Sequence, residues 1–190
     1  MTTEPTRAAE RDHIRQFFFG HELATCRLPA GPVHSALPHL EVLRVSPGPH
    51  TFGLWLYATL GACAVPNPAG SGGLEFFLLV QDASQAHADF LAKAAYYHHG
   101  HCLGVGHTYP IGEPFAPGSS CDHILVSLPF PFGPDFEHCP VPNGHVHYLW
   151  LLPITASERA FKASQGLEAL EVLFENSAFR YYDPLRLSVV

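Results

Sequence analysis

The sequence predicts an α+β fold, and three stretches predict it. Residues 40–80 alternate short apolar runs with Pro/Gly turns, the pattern of a β-meander. Residues 84–99 place Phe90, Leu91, Ala94, Ala95 and Tyr97 or His98 on one helical face behind Ser84, a capping residue. Residues 144–166 join a strand to a helix with an explicit start signal. No linker divides the 190 residues, so a single domain over 1–190 is expected. Its first part, 1–39, reads as a helix and a proline-rich loop, and 40–190 carries the sheet.

In chain order, residues 6–19 form the first helix, because Ile14, Phe17 and Phe18 share a face and Gly20 follows. Prolines 29, 32 and 38 make 22–39 a loop. Strands follow at 40–45 and 51–60 around the Ser46-Pro-Gly-Pro49 turn, then at 74–80 after a Pro/Gly/Ser turn over 66–73. Gly100 ends the helix begun at Ser84. Residues 101–122, rich in glycine and proline, read as a functional loop. A fourth strand at 123–128 leads to a second proline-rich loop, 129–143.

Val146 to Leu152 is almost continuously apolar, so it reads as a strand buried on both faces, with Pro153 stopping it. Thr155-Ala-Ser-Glu158 fits a capping box: the Thr155 hydroxyl accepts from the Glu158 N–H, and the Glu158 carboxylate accepts from the Thr155 N–H. Gly166 ends that helix as a left-handed cap. Leu167, Leu170 and Leu173 or Phe174 mark a second helix, and 179–190 closes the chain extended.

Composition excludes several functions. With Lys+Arg 10 against Asp+Glu 17 the net charge is -7, which repels phosphate backbones and anionic lipid, so neither nucleic acid nor a membrane is an expected partner. No signal-peptide pattern and no apolar run of about 20 residues occurs, which places the protein in the cytoplasm. Five cysteines without a C-x-x-C pair read as small buried hydrophobes and not as a disulfide scaffold. Only 14% of residues are charged, a surface suited to cover by partners.

Fourteen histidines invite a metal reading. His98, His99, His101 and His107 cluster along the chain, and His145 with His147 share one face of a strand. Yet no H-E-x-x-H or other zinc spacing is present, so the histidines read as caps and carbonyl donors, and no cofactor is expected. The alternative is a metal-dependent hydrolase using His98, His101, His107, His145 and His147. There is no G-x-S-x-G elbow, Cys102 beside His101 makes no dyad, and Gly104-Val-Gly106 precedes no phosphate-loop lysine. Glu75, inside an apolar strand, reads as a surface position on the alternate face.

An ordered series of short motifs adds to this. It comprises Tyr57-Ala-Thr-Leu-Gly61, Gly73-Leu-Glu75, Ala94-Ala-Tyr-Tyr-His98, the Gly104-Val-Gly-His107 loop and the strand from Leu125 to Pro129. It continues with Leu151-Leu-Pro-Ile-Thr155, Glu158, Gly166 and Asp183-Pro-Leu-Arg-Leu-Ser-Val189. This series, covering roughly 40–190, resembles the suppressor-of-fused (SUFU) domain family. The resemblance implies a single SUFU-like domain: a twisted, mixed but mostly antiparallel sheet of about five to six strands flanked by helices, without enzymatic activity. The animal member of the family looks like a two-domain scaffold that clamps a transcription-factor peptide as an added strand. The present chain ends where the first of those domains would end, so that partner does not carry over. Stand-alone bacterial relatives imply an immunity protein that neutralises a toxin. The animal relative lines its groove with a Gly-Asp-His loop, which Gly106-His107 matches without the acidic residue.

The expected function is therefore a non-enzymatic protein-binding module, a bacterial immunity protein whose partner is a toxin domain or an extended peptide. The 101–122 and 129–143 loops are expected to form one rim of the groove, with His107 as a polar tip and Tyr109 as an aromatic anchor.

Overall fold

The computed structural model describes residues 4–65, 72–142, 144–177 and 179–190. Most of the expected 66–73 turn lies outside them. The helices are α1 (Glu4–Phe17), α2 (Pro32–Ala36), α3 (Gln85–His101), α4 (Pro134–Glu137), α5 (Ala156–Gln165) and α6 (Leu167–Asn176). The strands are β1 (Leu23–Cys26), β2 (Glu41–Val45), β3 (Trp55–Leu60), β4 (Gly73–Val80), β5 (Thr108–Pro110), β6 (Cys121–Ser127), β7 (His138–Val141) and β8 (Gly144–Thr155). The fold is α+β, with a mixed, mostly antiparallel sheet flanked by helices. Among the described residues it has eight strands and not five or six. The chain forms two compact units: residues up to Gly104 with Leu128–Trp150, and Val105–Ser127 with Leu151–Val190.

In the first unit the strands run β1-β2-β3-β4-β8, with β7 also paired to β8. Every pair is antiparallel except β4 with β8, which are parallel in the register Glu75↔Tyr148 and Phe77↔Trp150. β4 is buried from Leu74 to Val80 because helices cover both its faces. On one face Phe76 meets His98 of α3 edge-on, with centroids 5.2 Å apart. On the other, Phe77 packs on Trp150 and on Phe136 of α4. α1 contributes Glu10 and Ile14, and Phe18 just past its end continues the stripe, all fully buried.

Several expectations need correction. Residues 22–39 hold β1 and α2: Pro32 begins a helix where its missing N–H has no partner to lose, and Leu23–Cys26 adds to the sheet before the first proline. Likewise 129–143 contains α4 and β7, and the 101–122 stretch contains β5 and the start of β6. Pro153 does not stop β8, which runs to Thr155. A proline forfeits only its own donor, and the Pro153 carbonyl accepts from Arg186 Nη2 at 3.0 Å. Gly100 does not end α3. The cap is Cys102, left-handed at φ 50, and the His98 Nδ1 accepts the Leu103 N–H at 2.8 Å. Cys121 and Cys139 are buried, but Cys26, Cys63 and Cys102 are only partly so.

In the second unit β5 pairs antiparallel with β6, α5 packs on β6 and α6 on α5. The capping box forms as expected: the Glu158 N–H reaches Thr155 Oγ1 at 3.2 Å and the Thr155 N–H reaches Glu158 Oε2 at 2.9 Å. Gly166 does end α5, with φ 95 and ψ 167; this is not the left-handed helical cap but an extended mirror conformation open essentially to glycine alone.

Glu158 has a second role, and Arg186 explains it. Arg186 donates through Nη1 at 2.6 Å and Nη2 at 2.7 Å to its two oxygens, and the Val189 N–H donates to it at 3.0 Å. Both side chains are buried, at 4% and 0% exposure. Burial alone would raise the Glu158 pKa, but the Arg186 bonds and charge hold it below the usual carboxylate value. The tail from Asp183 to Val189 is thereby fastened to the start of α5. Removing one partner strands the other's charge, so Arg186→Ala is expected to cost about 3–5 kcal/mol in urea denaturation. A loss below about 1 kcal/mol would show that the tail is held by something else.

Candidate protein-binding site

Phe132 is the hub of an aromatic cluster in the first unit. Its ring lies 5.3 Å from Phe18, 5.6 Å from Phe77, 5.1 Å from Phe136 and 5.8 Å from Phe17. The turn Leu-Pro-Phe-Pro-Phe-Gly at 128–133 sets it there, with the Phe132 and Gly133 N–H groups both donating to the Pro129 carbonyl at 2.8 Å. On its outer side Phe132 stacks on Phe52 at 5.8 Å and 22°. Phe52 is 56% exposed and Phe130, in the same turn as Phe132, is 59% exposed.

Phe52 is also strained. It ends the 3-10 turn Pro49–Thr51 with φ 56, a left-handed conformation that bulky L residues avoid at a cost of about 1–2 kcal/mol. A large apolar ring held at such a backbone position and facing solvent is poorly explained by stability. Sequence reasoning placed the 129–143 region at a binding rim but missed Phe52, Phe130 and Phe132. The signal was there: Pro129-Phe-Pro-Phe132 sets two aromatics inside a turn.

The buried face of the same unit holds an unexpected polar cluster. Glu75 is fully buried, contrary to the surface reading. Its strand neighbour on the same face is Phe77, so that face could not be solvent. Glu75 Oε1 accepts the N–H groups of Gly61 and Cys63, both at 2.8 Å, and so anchors the turn that follows β3. Glu10, also fully buried, accepts from the Cys63 thiol at 2.9 Å. Burial first, then the neighbouring Glu75, pushes the Glu10 pKa up to about 9, and burial raises that of Glu75. One oxygen of each carboxyl lies within 4.8 Å of the other, so each disfavours the other's ionisation.

A family model described as Suppressor of fused protein (SUFU) matches residues 36–187. The chain belongs to the SUFU family. The match runs through both compact units, so both belong to one SUFU-type domain. A crystal structure of a protein from Neisseria gonorrhoeae FA 1090, described as a SUFU homologue, is similar to this chain at 29% identity and TM-score 0.84, covering 97% of each chain. The structure described as the Sufu-Fu complex is similar at 13% identity and TM-score 0.70, covering 99% of this chain and 93% of that one. Drosophila Suppressor of Fused is similar at 14% identity and TM-score 0.69; 97% of this chain spans 51% of that one. The last two show a shared fold. No curated protein matches the sequence.

Within this SUFU domain the expected rim residues separate by burial. His107 is exposed, and its carbonyl accepts the Val126 N–H at 2.9 Å. Tyr109 is only 6% exposed on β5, paired opposite Ile124, so its ring faces the interior and is not offered to a partner.

The histidines divide in the same way. His98 is fully buried, and burial lowers its pKa to about 4, leaving a neutral ring that accepts the Leu103 N–H. His101 stacks on Tyr97 and turns Nδ1 to the Tyr97 carbonyl at 3.1 Å. Those two serve the end of α3, and His107 belongs to the other unit. His145 and His147 do come together, with ring centroids 4.8 Å apart. No helix among the described residues is long and apolar enough to cross a membrane.

The carboxyl pair has a measurable consequence. Glu10 keeps its proton in the folded protein up to about pH 9 but loses it near 4.5 when unfolded. The folded state therefore binds more protons in that window, and stability falls as pH rises through it. Glu10→Gln mimics the protonated acid, so it should flatten this slope between pH 5 and 8. It should also gain at least about 1 kcal/mol at pH 8, since each unit of displacement is worth about 1.4 kcal/mol. Denaturation curves across pH check this; an unchanged slope would mean that Glu10 is ionised in the fold.

Proposed function

We propose that this SUFU domain is a non-enzymatic, cytoplasmic protein-binding module of the bacterial immunity type, which neutralises a toxin by covering it. The observation that carries this reading is solvent-facing Phe52, stacked on the half-buried Phe132, with exposed Phe130 in the same turn as Phe132. Aromatic anchors on a rigid base are what interface hot spots are made of. The family adds support, because the Sufu-Fu complex shows a protein of this fold holding a protein partner. The net charge of -7 favours a basic partner, since complementary charge speeds encounter. His107 is the candidate polar contact in the second unit.

The test starts from the adjoining genes. The reading expects a neighbouring secreted-toxin gene whose product halts growth, and rescue of growth when this chain is co-expressed. A gene standing alone, with no partner recovered from its own cells, would defeat it. The surface itself is tested by Phe52→Gly. Relief of the left-handed strain and loss of the stacked ring are each worth about 1 kcal/mol, so melting temperature should hardly move. Affinity for the partner, measured by calorimetry, should fall by about 1–2 kcal/mol or more. If Phe52→Gly and Phe130→Ser bind as well as the unaltered chain, the interface lies elsewhere.

A further inference from the structure

The β7–β8 hairpin carries a donor set that the binding surface does not use. Its register places His138 directly opposite His147, and Glu137, the last residue of α4, adjoins His138. One ligand atom from each of Glu137, His138 and His147 lies within 4.8 Å of the others. Glu137 Oε1 is 3.2 Å from His147 Nδ1 and 3.8 Å from His138 Nε2. The His138 ring stands 4.8 Å from that of His147, and His145, two residues back on the same face of β8, is at the same 4.8 Å.

We propose that Glu137, His138 and His147 form a binding site for a divalent transition-metal ion of the zinc class. Metal–ligand bonds of about 2.0–2.1 Å in a tetrahedron set neighbouring donors about 3.3 Å apart. The Glu137–His147 distance already meets that spacing. The His138 distance exceeds it by half an ångström, and that side chain, 53% exposed, is free to rotate inward. Two imidazoles and one carboxylate select zinc, nickel or copper over magnesium or calcium, which demand more oxygen ligands. Three protein ligands leave a position that His145, a water or a partner's side chain can fill. The hairpin fixes the geometry: Cys139 and Val146, which alternate with the histidines, are buried on the opposite side. Binding would tie α4 to both strands, so the metal should stabilise the fold.

The experiment uses full-length protein without an affinity tag. Zinc chloride is titrated by calorimetry, and bound zinc is counted by elemental analysis after dialysis. The expected result is one equivalent, a melting temperature that rises with zinc but not with magnesium, and binding at least about tenfold weaker in both His138→Ala and His147→Ala. Glu137→Gln, which keeps the shape of the side chain, should also weaken binding, while His101→Ala should not. His145→Ala separates a four-ligand site from a three-ligand one: weakened binding assigns it the fourth position. Zinc well below one equivalent would overturn the proposal. So would stoichiometric zinc unaffected by His138→Ala and His147→Ala.

Discussion

Strand β4 is hydrogen-bonded to neighbours on both edges and has helices over both faces, so none of its side chains from Leu74 to Val80 reaches water. That constraint organises the first unit. Phe76 must pack on α3, and the ring it meets is His98, kept neutral by burial and serving as acceptor for the chain leaving the helix. Phe77 must pack on the other side, where it becomes part of the aromatic cluster under the proposed binding surface. Glu75 cannot escape either; two backbone N–H groups satisfy one of its oxygens, and burial raises its pKa toward the neutral acid. A strand with no wet face thus sets the end of α3, the turn after β3 and the base of the aromatic patch.

What could be read from the sequence was local; what could not was a matter of which surfaces meet. The capping box at Thr155 and Glu158 was legible because both bonds lie within one turn. The cap at Cys102 was not, because it depends on the His98 ring reaching forward past Gly100. Strands β1 and β7 are four residues each, the second with Pro140 inside it, and sheet partners hold them more than propensity does. Glu75 was misread because alternation was assumed where both faces are covered; Phe77, of the same parity, already contradicted that assumption. Of the candidate site, exposed His107 was legible as a loop residue, whereas the inward turn of Tyr109 follows from its pairing on β5. Phe52 was invisible as a surface anchor, since only the backbone shows that its φ is positive.

The two sides of the β7–β8 hairpin illustrate how a period of two divides labour. Cys139, Val146 and Tyr148 point toward α1, and Tyr148 lies near His13 and Phe136. Burial there raises the pKa of Cys139 to about 12 and that of Tyr148 well above its usual value, so both stay neutral beside the carboxyl pair. A charged metal ligand on that side would have no solvent to stabilise it. The intervening residues, His138, His145 and His147, keep partial access to water, which is where imidazoles can exchange protons for a metal ion.

Rigid support is what distinguishes Phe52 from an exposed apolar residue such as Leu187, which is 87% exposed on the extended tail. A side chain that must be ordered on binding spends part of its contact energy on lost rotamers, about 0.5–1.5 kcal/mol each. Phe52 is already stacked on Phe132, and Phe132 packs on the fully buried rings of Phe18 and Phe77. Its left-handed backbone adds a second restraint, because few neighbouring conformations are open to a phenylalanine there. The protein thus accepts local strain at the surface in exchange for a preorganised aromatic contact. The 14% charged composition leaves little polar competition around such a contact, so shape at the patch can set affinity while the net charge of -7 governs approach.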